Sequence, residues 1–210
     1  GNEHFTDVAR EQGVASVTRF LSGWGLKFFD FDNDGALDLM VANGHPDDVV
    51  DLTKRGVRYR EPLLLFHREG AKLRSLGAEA GAAFARDHAA RGLAVGDFDN
   101  DGRLDVLVGV NGGSPLLLRN VSAAGNNWVG LQLVPDAIGA RVTWSAGGVK
   151  QSRFKAGGGS YLSSHDPRMV LGLGKAAKCD WVEVEWPGPS GYTQRVVNPG
   201  INRYHALKRR

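Results

Sequence analysis

The chain repeats itself. Residues 25–41 (GLKFFDFDNDGALDLMV) and 92–108 (GLAVGDFDNDGRLDVLV) align without a gap at an offset of 67 residues. A fixed-period repeat constrains architecture strongly, because each copy must build the same supersecondary unit. A second match keeps nearly the same offset, 68: residues 5–13 (FTDVAREQG) align with 73–81 (LRSLGAEAG), sharing Glu11 and Gly13 with Glu79 and Gly81. The unit is therefore longer than one hairpin. In the first copy, strand-like runs bounded by turn residues fall at 25–30, 37–42, around Leu63-Leu64-Leu65-Phe66 and at 71–76. In the second they fall at 92–97, 104–110 and Leu116-Leu117-Leu118. Four short strands in roughly 40–50 residues is the pattern of a β-propeller blade, here with a charged, Gly-containing insertion over 46–61. Closing a propeller takes about four blades or more. The pattern thus predicts upstream blades in the same precursor, and Gly1, with no basic or apolar leader behind it, reads as a cut from a longer chain.

From about Asn126 the texture changes. Seven strand candidates (128–134, 140–145, 149–155, 169–173, 181–186, 193–197 and 203–207) are punctuated by Gly147-Gly148, Gly157-Gly158-Gly159 and Pro187-Gly188-Pro189. Their spacing, with strict alternation in Trp181-Val182-Glu183-Val184-Glu185-Trp186, predicts a small antiparallel β-sandwich or barrel. The boundary falls near 121–127, giving domains at 1–122 and 123–210. Short helices are expected at 7–12 and 48–54.

Both repeats carry the pattern DxDxDGxxD: Asp30, Asp32, Asp34, Gly35 and Asp38, then Asp97, Asp99, Asp101, Gly102 and Asp105. Four carboxylates in nine residues repel one another unless a cation or protons compensate. In a tight loop the Asp residues at positions 1, 3 and 5 turn inward, Gly at 6 allows a φ > 0 turn, the backbone carbonyl at 7 (Ala36, Arg103) adds an oxygen and the Asp at 9 closes the cage. Five to seven oxygens at flexible distances suit Ca²⁺ better than Mg²⁺, so two calcium ions are expected. An EF-hand would need Glu at position 12 between helices, whereas Val41 and Val108 stand there inside strand-like runs. Metal-free Asx-rich turns are the alternative. The predicted fold is all-β: a partial propeller of about two blades with calcium-binding hairpin loops, followed by the sandwich or barrel.

Charge divides unevenly. Residues 1–120 hold 18 acidic against 14 basic side chains (−4), and residues 121–210 hold 5 against 12 (+7), which gives the net +3. The bases of the second part are spread over alternating strands rather than forming a block or helix face, so they read as a solvated sheet surface and not a nucleic-acid site. No apolar run of about 18 residues exists to span a membrane as a helix.

At these residues the chain resembles the FG-GAP/VCBS repeats of integrin-α-type propellers. The remainder is similar to the ASPIC/UnbV domain, which follows such repeats at the C-terminus of secreted proteins. That second resemblance rests on Asn127-Trp128-Val129-Gly130-Leu131, Ile138-Gly139-Ala140-Arg141-Val142, the stretch GGGSYLSSHDP over 157–167, Leu171-Gly172-Leu173-Gly174 and the stretch VEVEWPG over 182–188. The resemblance implies an extracellular or periplasmic, calcium-stabilised adhesion or recognition protein without catalytic residues, whose partner is a protein or glycan.

The other constellations are weaker. Ser164, His165 and Asp166 are sequence neighbours, whereas a working triad assembles from separate elements; a hydrogen-bonded loop is expected over 157–167. His4, His45, His67, His88 and His205 lack metal-ligand spacing. Trp24, Trp128, Trp144, Trp181 and Trp186 read as core, with sugar stacking the alternative. Asn120-Val121-Ser122 is a glycosylation sequon, relevant only in a eukaryotic secretory host. The single Cys179 makes no internal disulfide and reads as a small residue at a strand start. A calcium-binding extracellular recognition module is the function predicted; a non-catalytic spacer in a larger secreted protein and a metal-assisted hydrolase are the alternatives.

Overall fold

The computed structural model describes residues 4–53, 56–123, 125–189 and 191–209. The first repeat opens with a hairpin of β1 (Gly23–Phe29) and β2 (Asp38–Asn43). A two-residue β3 (Glu61–Pro62) then precedes β4 (Leu64–Glu69) and β5 (Lys72–Ser75). Strands 1, 2, 4 and 5 form one antiparallel sheet in the order β1-β2-β4-β5. After β6 (Asp87–His88), which pairs with β3, the second repeat builds β7 (Ala90–Gly96), β8 (Asp105–Val110) and β9 (Leu116–Leu118) in sequential order. The first blade therefore has four strands, and the second has three among the described residues.

Strand β2 is buried along its whole length, so its period of two serves two cores at once. Met40 and Ala42 face the second blade, joining Phe29, Leu63, Leu65, Leu93, Val95, Val106 and Val108 in a core between the sheets. Leu39 and Val41 face the other way, where Leu64, Phe66 and Leu73 are covered by Val14 and Leu21.

The second part consists of β10 (Asn127–Val134), β11 (Arg141–Ala146), β12 (Val149–Phe154), a hairpin of β13 (Gly159–Ser160) and β14 (Ser163–Ser164), β15 (Met169–Gly174), β16 (Trp181–Glu185), β17 (Thr193–Val197) and β18 (Tyr204–Lys208). Sheets ordered β15-β10-β18 and β12-β11-β16-β17 enclose a core built on Trp144, Leu131, Leu171, Val129, Val142 and Val182. Pairing is antiparallel except between β10 and β18, which run parallel because β18 returns from the far side of the second sheet. Hairpin spacing carries no signal for such a crossover.

Helix is confined to single turns. Turns occupy 9–13, and the helix expected at 7–12 forms instead at Ala15–Thr18, where the chain passes under β5 and Leu73 N–H donates to Gln12 O at 2.9 Å. The helix expected at 48–54 is reduced to Val50–Thr53, and Lys54 of that range lies outside the described residues. No helix among the described residues is long and apolar enough to cross a membrane.

Candidate metal centre

The two acidic segments are the β1–β2 and β7–β8 hairpin loops, and they fold alike. Asn33 and Asn100 both have φ of 61°, while Gly35 and Gly102 have φ of 94° and 83°. Glycine enters that region without strain, and Asn is among the few side chains that tolerate it. The first Asp of each loop closes the turn: Asp30 accepts from Gly35 N–H at 2.9 Å and Asp97 from Gly102 N–H at 2.8 Å. Ala36 N–H donates to Asp34 at 2.7 Å and Arg103 N–H to Asp101 at 2.9 Å. The ninth residue ties each loop to the third strand. Asp38 accepts from Phe31 N–H at 3.2 Å and Arg68 N–H at 2.8 Å, and Asp105 from Phe98 N–H at 2.9 Å and Asn120 N–H at 2.7 Å.

Carboxylate oxygens of Asp30, Asp32 and Asp34 converge within 4.8 Å of one another, as do those of Asp97, Asp99 and Asp101. Asp38 joins Asp32 and His67 in an adjoining group, with His67 Nδ1 at 3.1 Å from Asp38 Oδ1. Asp105 belongs to no such group among the described residues.

The chemistry of the first loop fits a divalent cation. Asp30 is 5% exposed and its Oδ1 is buried with no hydrogen-bond partner, an arrangement that costs free energy unless something positive or a proton occupies the gap. Burial pushes its carboxyl up to about 8, against the pull of the Gly35 N–H and with Asp34, Asp32 and Asp38 adding to the rise. Burial raises Asp32 and Asp38 as well. The second loop differs: Arg103 pairs with Asp101, and Arg119 donates to Asp99 at 2.8 Å, holding that carboxyl below its ordinary value. His67 stands on β4 where Arg119 follows β9, so the first loop has no guanidinium in that place.

Both loops are docked. Asn33 donates to Gly102 O at 2.9 Å, joining one loop to the other. On the first, Asn126 donates to Asp32 O at 2.9 Å, Arg153 to Gly35 O at 2.9 Å and Gly174 N–H to Asn33 O at 2.9 Å. On the second, the Tyr204 hydroxyl donates to Asp97 Oδ2 at 2.6 Å and Arg168 to Asp97 O at 2.7 Å. Contact is close enough that a Cβ on Gly102 would fall in the Trp128 ring, and one on Gly172 would strike the Asp30 carboxylate.

Residues 89–129 match the FG-GAP repeat, and residues 130–210 match the family described as ASPIC and UnbV. This chain joins an FG-GAP repeat to an ASPIC/UnbV domain. It is 30% identical over 183 residues to cartilage acidic protein 1 of Xenopus tropicalis and 29% identical over 186 residues to that of Homo sapiens, each alignment taking in 82% of this chain. The chain spans only about a quarter of the length of these curated relatives, 27% and 26%.

The remaining candidates of the ASPIC/UnbV domain and the blades make the following contacts. His165 Nδ1 accepts from Val95 N–H at 3.1 Å, Asp166 pairs with Arg168 at 2.6 Å, and neither bonds to Ser164. Segment 159–166 lies along the free edges of β1 and β7, with Leu26 N–H donating to Ser160 Oγ at 3.1 Å and Asp166 N–H to Val95 O at 2.9 Å. Asn120 of the sequon donates Nδ2 to Phe31 O at 2.6 Å and Leu104 O at 3.2 Å, bridging the blades. Cys179 is buried, its thiol pushed up to about 11 by burial. Trp128, Trp144 and Trp186 are core; Trp24 and Trp181 are partly exposed under the guanidinium groups of Arg91 and Arg195. Arg153, Lys155 and Arg168 were legible only as surface charge, yet all three turn inward; nothing in strand alternation distinguishes a face that meets solvent from one that meets another domain.

Proposed function

We propose that this chain is a calcium-organised recognition module of an extracellular or periplasmic protein, without catalysis. The ions order the blade hairpins and the joint with the ASPIC/UnbV domain, and the exposed surface meets a protein or glycan partner. Further blades of the same precursor complete the propeller. The observation that carries this reading is the buried, unpartnered Asp30 Oδ1 inside a three-aspartate cluster. Five to seven oxygen ligands at flexible distances favour Ca²⁺ over Mg²⁺, and an affinity of about 10⁻⁴–10⁻³ M is usual for extracellular modules. The relatives named cartilage acidic protein support the extracellular placement.

Calorimetric titration of chelator-treated protein tests it, with a parallel thermal melt and magnesium as control. Two calcium ions are expected, with a higher melting temperature and little response to magnesium. Asp32→Ala and Asp99→Ala should each lower the stoichiometry by one. Parental stoichiometry in both variants would overturn the assignment.

A further inference from the structure

Between the first blade and the ASPIC/UnbV domain lies a cavity of about 360 Å³, at the lower end of the roughly 300–1,000 Å³ typical of small-molecule sites. Four cationic side chains reach it, and two are already neutralised. Lys155 meets Asp136 and Pro167 O, each at 2.7 Å, and Arg168 meets Asp166. The other two are not. Lys27, on β1, has no hydrogen bond or ion pair among the described residues, and its half-burial lowers its pKa. Arg153 spends its guanidinium on backbone carbonyls and the Trp144 ring, 5.3 Å away, with no ion pair among the described residues; Asp30 is the carboxylate whose field reaches it. Burial makes each uncompensated cation costly, and an anion would relieve both.

A third donor lines the same wall. Because His165 Nδ1 accepts from Val95 N–H, the neutral ring carries its proton on Nε2, and that atom is buried beside the Gly159 backbone without a well-formed hydrogen bond. Around these groups the wall is apolar and open: Phe28, Phe154 and Ile138 are 44%, 64% and 58% exposed. Unpaired donors beside apolar side chains describe a site for an anion with a hydrophobic body, since bare phosphate would leave Phe28 and Ile138 uncovered; the Phe154 ring carries the Arg141 guanidinium at 4.6 Å and offers the cavity the rest of its surface.

We propose that this cavity binds a small organic carboxylate, its charged end held by Lys27, Arg153 and His165 and its apolar or ring-bearing body against Phe28, Phe154 and Ile138. The cavity adjoins the first acidic loop, through Asp30 in its wall and through Arg153, which donates to Gly35 O, so its test is run on calcium-loaded protein with the calcium stoichiometry of every variant measured alongside.

Benzoate is the probe, with benzamide as its neutral isostere and inorganic phosphate as the apolar-free anion, followed by calorimetry and by ring-proton shifts of His165, Phe28 and Phe154. Benzoate should bind at least tenfold more tightly than either comparator and shift those rings. Lys27→Met, which removes a charge the fold does not pair, should keep the parental melting temperature and weaken benzoate at least tenfold, while Lys150→Met, on the outer sheet face, should leave it unchanged. Arg153→Lys should weaken it to a lesser degree. Equal binding of benzoate and benzamide, or an unaltered benzoate Kd in a folded Lys27→Met variant, would overturn the proposal. Phosphate binding as tightly as benzoate would overturn the role given to the aromatic wall.

Discussion

Asp30 concentrates the conflict that the acidic motif announces. In the ion-free chain its carboxyl is raised from an ordinary 3.8 to about 8, chiefly by burial. A carboxyl raised on folding contributes stability that is full below its unfolded pKa and lost as pH rises through the folded one. The chelated protein should therefore lose stability between about pH 4 and 8, a window in which a bound calcium ion would take the proton's place. The rise in melting temperature at saturating calcium should be larger at pH 8.5 than at pH 5.5; the opposite ordering in a pair of thermal melts would contradict the role given to Asp30. Asn120 makes a second prediction at this scale. Its two carbonyl acceptors belong to different blades, so Asn120→Ala should cost about 1–3 kcal/mol in urea unfolding by leaving them unpaired. The same bonds leave no room for a glycan on Nδ2. A sequon is visible in sequence, but the use of its amide as a bridge is not, because Phe31 lies 89 residues away.

At the scale of elements, the duplicated hairpins are where the sequence was most legible. Alternating Asp, αL-compatible Asn and Gly, and a Leu that starts the next strand specify the loop by local chemistry alone, and both copies adopt it. What differs lies outside the motif. Arg119 follows β9 and Arg103 replaces Ala36, so the second loop's carboxylates are held by guanidinium groups that an entering ion must displace. The two loops should consequently bind calcium with unequal affinity, the first more tightly. Arg119→Gln should tighten the second by roughly two- to fivefold, the modest gain expected from removing an exposed competing pair, as read from a two-site titration. The elements that escaped the sequence were β3, β6, β13 and β14, each two residues long and held by tertiary neighbours rather than by pattern. The hairpin of β13 and β14 is an example: it exists where it covers the edges of β1 and β7, which would otherwise present unpaired backbone groups.

Across the whole molecule, the acidic first part and basic second part meet at the loops. Arg153 and Arg168 of the second part donate to loop carbonyls of the first, so two of the bases that make the second part positive serve the joint. Removing calcium should loosen both sides of that joint. Hydrogen exchange after chelation is expected to lose protection at 30–38 and 97–105, and also at 126–128, 151–153 and 166–174, while the core strands around Val142 and Val182 stay protected. Loss confined to the blades would show the joint to be independent of the ions. The inward turn of the bases was not readable from strand spacing, since alternation fixes which residues share a face and says nothing of what that face meets.

The contact of Gly102 with Trp128 and of Gly172 with Asp30 bears on how such chains exchange parts. An ASPIC/UnbV domain with these glycine and tryptophan positions needs both acidic hairpins in front of it, at this spacing, to seat Asn126, Arg153, Arg168 and Tyr204. Transplanted behind a repeat without them, it would keep its own core and lose its seat. The two acidic hairpins and the domain therefore behave as one cassette, and exchanging either alone would break the joint that the other is shaped to fit.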